Sequence, residues 1–125
     1  NRRVAAFARE RIATLGIKGV AGQMLDKLSG GNQQKVVIAK WIARNPKVII
    51  LDEPTRGIDM GARAAIYELI IDLSKTGVSV IVVSSDLEEV IGLSHRVMVM
   101  ARGCSQGILH RPQIAPDSIM TLATA

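Results

Sequence analysis

Two adjacent carboxylates close an apolar run in Val48-Ile49-Ile50-Leu51-Asp52-Glu53. Acids at the tip of a hydrophobic strand are costly unless something positive lies beside them. Mg²⁺ is a natural partner, because it takes one or two carboxylates together with substrate phosphates. One acid can then hold the metal while the next faces an attacking water. Taken alone, the pair is equally a solvated turn. A second candidate is Leu28-Ser29-Gly30-Gly31-Asn32-Gln33. The two glycines let backbone approach a ligand, and a helix starting there points its free amides at an anion. Ser29 can cap that helix or donate to a phosphate. As an isolated hexapeptide this is also an ordinary N-cap followed by glycines. His95 and His110 lie far apart with no acidic companions, which argues against a metal site. Cys104 has no His or Cys neighbour and reads as a free thiol.

Positioning these residues requires a frame, and the hydrophobic periodicity supplies one. Val4, Phe7, Ala8, Ile12 and Leu15 keep helical spacing over 1–15, and Gly16 ends that helix. Gly16–Asp26 reads as a loop. A second helix runs from the Ser29 cap to about Arg44. Val36, Val37, Ile38, Ala39, Trp41, Ile42 and Ala43 make it apolar nearly all round, which predicts a largely buried helix. Val48–Leu51 reads as a strand covered on both faces, as in a parallel sheet. Arg56–Gly61 is a turn with Asp59 as a cap. The next helix carries Ala65, Ile66, Leu69, Ile70 and Leu73 on one face and closes at Lys75-Thr76-Gly77. Val78–Val83 is a second buried strand. Asp86 opens a short helix with Leu87, Val90 and Ile91 inward, and Arg96–Met100 is a third strand. A turn at Arg102-Gly103, a strand near Gly107–Leu109 and a helix from Asp117 complete the chain. This alternation predicts an α/β fold, a parallel sheet with flanking helices and right-handed crossovers. Such sheets bind ligands beyond the carboxyl ends of their strands, where Asp52-Glu53 and Ser84-Ser85-Asp86 both fall.

Composition narrows the function classes. In 125 residues, 16 Lys+Arg against 11 Asp+Glu give a formal charge of +5. Arg2, Arg3, Arg9 and Arg11 account for much of this and read as a solvated face of the first helix. Aromatics are 2% of the chain, too few for the stacking platforms of single-strand nucleic-acid readers. One Cys excludes an internal disulfide and suits a reducing compartment. No apolar run approaches the roughly 18–20 residues that a membrane-spanning helix needs. The chain starts at Asn1 and not at Met, which reads as a fragment whose upstream part lies elsewhere.

Taken together, Leu28–Gln33, a following helix, Val48–Glu53, Pro54-Thr55 and Gly57-Ile58-Asp59 resemble the ATP-binding subunits of ABC transporters. Leu28, Ser29, Gly30, Gly31, Asn32 and Gln33 look like the family's signature motif. Val48–Glu53 looks like its Walker B strand, and Gly57, Ile58 and Asp59 look like its D-loop. The details of Asn32-Gln33-Gln34-Lys35 and Arg56-Gly57-Ile58-Asp59 are similar to the second nucleotide-binding half of tandem sugar-importer ATPases of ribose, galactose, xylose and autoinducer-2 type. The resemblance implies a partial P-loop NTPase fold of the ABC ATPase kind. It implies that Asp52 holds Mg²⁺ and that Glu53 polarises the attacking water as general base. The signature residues would contact, in trans, the ATP bound by an opposing nucleotide-binding domain, and Asp59 would couple the two domains. Implied partners are that opposing domain, transmembrane permease subunits and, indirectly, a periplasmic sugar-binding protein, with no nucleic acid. The implied place is the cytoplasmic face of the inner membrane, held peripherally.

Two departures qualify the resemblance. The phosphate-wrapping loop, G-x-x-x-x-G-K-[ST], is absent from the sequence, as is the stretch that would carry a Q-loop glutamine. The strand leading into that loop would normally lie between Val78–Val83 and Arg96–Met100. Its absence predicts exposed strand edges and a fragment that neither folds robustly nor hydrolyses ATP by itself. Ser85 occupies the position where the family usually has a switch His, and a hydroxyl cannot carry an imidazolium's charge. That replacement is itself a feature of the second half of sugar-importer ATPases. The segments are expected to be a helical-subdomain remnant over 1–27, a signature-to-switch core over 28–103 and a C-terminal strand and helix over 104–125. Two other readings compete: a non-transport ABC ATPase, and a catalytically inert truncated fragment.

Overall fold

The computed structural model describes residues 2–125, so the expected helix start at Asn1 lies outside the described residues. The chain divides into two compact units, one ending at Val83 and one spanning Ser84–Ala125.

In the first unit, α1 (Arg2–Thr14) closes at Gly16, whose φ of +56° takes the left-handed conformation that glycine accepts without cost. The helix matches its predicted range, but none of its residues is fully buried, and Phe7 is 45% exposed. The arginine face is not wholly solvated as expected. The Arg11 guanidinium lies 5.1 Å from the centroid of the Phe7 ring, and its Nε is buried without a hydrogen-bond partner. A short 3-10 turn, Leu25–Lys27, leads to α2 (Gly30–Ile42).

The expectation of a largely buried α2 is overturned. Gly31, Ile38 and Ala39 are buried, whereas Val37 and Trp41 are exposed. Trp41 instead carries Lys40 and Arg44 near its ring, at 5.7 Å and 6.0 Å. The helix packs on α3 (Met60–Lys75), and Val36, Ala39 and Ala43 line a cavity together with Phe7, Ala8 and Ile12 of α1, while Val37 and Trp41 stay open.

β1 (Val48–Asp52) pairs in parallel with β2 (Ser79–Val83), from Val48 opposite Ser79 to Asp52 opposite Val83. Paired residues share a face. Ile49 and Leu51 turn inward, toward the layer that holds α3, which packs on both α2 and β2. Burial on both faces of β1 was expected, but Val48 and Ile50 lie on an open face with Ile81 and Val83, and Ile50 is 65% exposed. Helices cover one side of this two-stranded pair only, which is the physical reason for the difference. α3 follows its predicted pattern closely, burying Ile66, Leu69, Ile70 and Leu73. Ile66 has no exposure at all, and burial of such a side chain contributes about 1.5–3 kcal/mol.

In the second unit, Asp86 caps α4 (Leu87–Leu93) by accepting from the amides of Glu88 and Glu89, as expected. β3 (Arg96–Ala101) returns through Arg102 and Gly103, both at positive φ, into β4 (Cys104–His110). Consecutive left-handed residues match the twist of a tight hairpin. The third strand was expected in the parallel sheet. It is hydrogen-bonded to β4 in antiparallel register, and the β1–β2 pair is a separate sheet. α5 (Pro116–Ala123) places Ile119 on a core of Val97, Val99 and Ile114, with Leu87, Val90 and Leu122 around it. No helix among the described residues is long and apolar enough to cross a membrane.

Candidate functional site

The acidic tip forms because β1 ends where its ladder ends. Asp52 is the last paired residue and projects from the open, exposed face. The chain then turns sharply. Glu53 takes φ +47°, a left-handed conformation uncommon for a residue with a Cβ, and its amide donates to the carbonyl of Val83 at 2.8 Å. Pro54 and Thr55 behind it are buried, so the turn is anchored. Asp52 and Glu53 therefore occupy the carboxyl end of a parallel strand, one exposed and one half-buried. Asp52 forms no ion pair among the described residues, and no group of three metal-ligating side chains gathers there. One free carboxylate fits a Mg²⁺ ion whose other ligands are water and substrate oxygens.

The glycine-rich helix start lies in the same unit. Ser29 occupies the N-cap position of α2 in extended backbone, yet its hydroxyl bonds no helix amide. The Ser29 Oγ accepts from Asn32 Nδ2 at 2.8 Å, which leaves its own proton free to donate. Asn32 Oδ1 accepts the amide of Lys18 at 2.8 Å, and Gln33 Nε2 donates to the Leu28 carbonyl at 2.9 Å. Asn32 and Gln33 are thus committed to shaping the loop, while Ser29 and Gly30 stay exposed at the helix start. Leu28 points elsewhere, into an apolar cavity of about 440 Å³ lined also by Phe7, Ile12, Ile17 and Val36.

The Gly57–Asp59 turn connects β1 to α3. Gly57 needs its φ of +73°, Ile58 is buried, and Asp59 Oδ1 accepts the Ala62 amide at 3.0 Å. Arg63 Nε donates to the Ile58 carbonyl at 3.2 Å. Gly31 and this turn meet: a Cβ built on Gly31 would lie 2.8 Å from the Cβ of Ala62 and 3.8 Å from Ile58 Cγ2. Sequence reasoning did not identify that contact. Two small residues about thirty positions apart give no periodic signal, and only the pair of glycines hinted at close approach. Glu89 is 1% exposed within α4. Ser85 is exposed between β2 and α4, in the second unit. Cys104 is an exposed free thiol.

Comparison with known proteins agrees with this layout. Residues 2–56 match the ABC transporter family. The ribose import ATP-binding protein RbsA 3 of Rhizobium etli is 49% identical over 120 residues, covering 95% of this chain and 24% of that protein. RbsA 2 of Streptomyces coelicolor is 54% identical over 120 residues, covering 94% and 23%. The chain thus spans about a quarter of the length of these curated relatives. Among solved structures, a dimeric bacterial ABC transporter cassette superposes with a TM-score of 0.71 at 28% identity, covering 84% of this chain and 46% of that one. A nucleotide-free ATP-binding cassette gives a TM-score of 0.79 at 21% identity, covering 96% and 46%, a likeness of fold. In sequence over residues 2–56, and in the α/β frame, the chain matches the ATP-binding proteins of the ABC transporter family.

Proposed function

We propose that this chain is part of the second nucleotide-binding half of a tandem ATPase that energises import of a sugar or sugar-like solute. The observation that carries the reading is the pairing, within one unit, of an acidic tip on β1 with an exposed Gly30 helix start on α2. The ribose-import names of the relatives support the class of cargo.

In this reading Asp52 holds Mg²⁺ on the nucleotide bound by its own domain, and the ion supplies charge neutralisation to the phosphates. The Glu53 carboxylate accepts a proton from water placed beyond the tip of β1, and its half-buried position limits competing solvent. The Ser29 hydroxyl and the amides at the helix start, Gly30 exposed and Gly31 behind it, meet the terminal phosphate of ATP held by the opposing domain. Leu28, Asn32 and Gln33 complete that signature segment, and the side-chain bonds of Asn32 and Gln33 hold its loop in shape. Asp59 faces the partner domain and couples the two sites. Ser85 stands where an imidazole would sense the phosphate, so this half is asymmetric, hydrolysing slowly or acting mainly as partner to the other half. Closure on ATP is passed to transmembrane permease subunits that receive solute from a periplasmic binding protein, with the ATPase held peripherally on the cytoplasmic face. Residues 1–27 are the helical-subdomain remnant, 28–103 the signature-to-switch core and 104–125 the terminal strand and helix.

ATP turnover by the full-length protein tests this directly. Glu53→Gln should reduce turnover less than the equivalent change in the other half. Equal losses refute the asymmetry, and absence of ATP turnover in the unmodified protein refutes the ATPase reading.

A further inference from the structure

Ala62 joins the two motif segments through both its backbone and its side chain. Its amide donates to Asp59 Oδ1 and to the Asp59 carbonyl, each at 3.0 Å, so it fixes the end of the Gly57–Asp59 turn. Its Cβ covers Gly31, leaving no room for a methyl group at that position. Gly31 itself is buried, and Ile58 closes the other side of the same contact. Close packing of this kind transmits displacement, because interiors are dense and deform little.

We propose that Ala62 is a positioning residue that locks the start of α2 to the Gly57–Asp59 turn, so that the phosphate-facing amides and Asp59 respond to nucleotide as one rigid piece. This deepens, and rests on, the proposed ATPase reading. The Ala62 methyl leaves no room for a Cβ at position 31, and hydrogen there is what lets it seat. Enlarging residue 62 pushes the helix start away while leaving Asp52 and Glu53 in place on β1.

The test uses the full-length protein. In Ala62→Val, kcat for ATP should fall at least tenfold while KM changes less than twofold. Ile70→Val, two turns further along the buried face of α3, should lower stability and keep kcat within twofold of the unmodified protein. Amide exchange over Gln33–Val36 should rise at least tenfold in Ala62→Val and not in Ile70→Val, whether or not ATP is turned over. The complementary pair guards against a simple folding defect: Gly31→Ala should lose turnover, and Gly31→Ala with Ala62→Gly should regain most of it. Unchanged exchange in Ala62→Val, equal kcat losses in Ala62→Val and Ile70→Val, or no recovery in the double variant would each overturn the proposal. Absence of turnover in the unmodified protein overturns the ATPase reading alone, since exchange still reports the contact.

Discussion

Asp59 has two separable duties, and replacing it in two ways tells them apart. Its Oδ1 accepts the Ala62 amide at 3.0 Å, and Gly61 leaves the carboxylate room, since a Cβ there would lie 3.3 Å from that oxygen. Asp59→Ala removes an N-cap, which costs about 1 kcal/mol. It also removes a negative charge from the positive end of the sixteen-residue α3, a further loss of about 0.5 kcal/mol. Asp59→Asn keeps the acceptor and forfeits the charge alone, about 0.5 kcal/mol. At a given urea slope the midpoint should therefore fall about three times as far for alanine as for asparagine. The measurement is urea unfolding of the full-length protein by circular dichroism, beside steady-state ATP turnover. If Asp59 also couples opposing domains, both variants lose turnover by a similar factor of about ten, although only alanine loses much stability. An asparagine variant with full turnover would refute the coupling role. An alanine variant with an unmoved midpoint would refute the cap.

Two further changes probe the frame. Ile66→Ala leaves a cavity at a fully buried site and should destabilise by about 2–5 kcal/mol, read as a lowered unfolding midpoint with binding of nucleotide retained. Asn32→Ala breaks the bonds to Lys18 and Ser29 and should cost about 1–2 kcal/mol; faster amide exchange at Lys18 is the check, and unaltered exchange would show that the bridge does not hold the loop.

What the sequence revealed and what it hid follow from how local each signal is. The α3 face, the Asp59 and Asp86 caps and the Arg102-Gly103 turn depend on residues within a few positions, and all appear as read. The acidic tip was legible because a β-rich apolar run ending in two acids has few structural explanations. Burial of α2 and β1 was overestimated because hydrophobicity records what a surface is suited to meet, not which neighbours are at hand. Val37, Trp41 and Ile50 carry that mismatch. The partner of β3 was misjudged for a related reason, since alternation of elements constrains order but not which strand lies beside which. The hydrogen bonds that Asn32 and Gln33 make could not be read, because both side chains reach across turns whose shape depends on the loop over residues 16–28.

The left-handed backbone at Glu53 limits what can ever stand in its place. Valine, isoleucine and threonine are disfavoured there by their branched carbons, while asparagine, aspartate and glycine settle into such a geometry with little penalty. A lineage discarding this carboxylate would therefore have a narrow set of comfortable exits. Polar or tiny replacements would be tolerated, whereas bulky aliphatic ones would disturb the peptide that fastens the adjacent strands long before any effect on nucleotide could be felt.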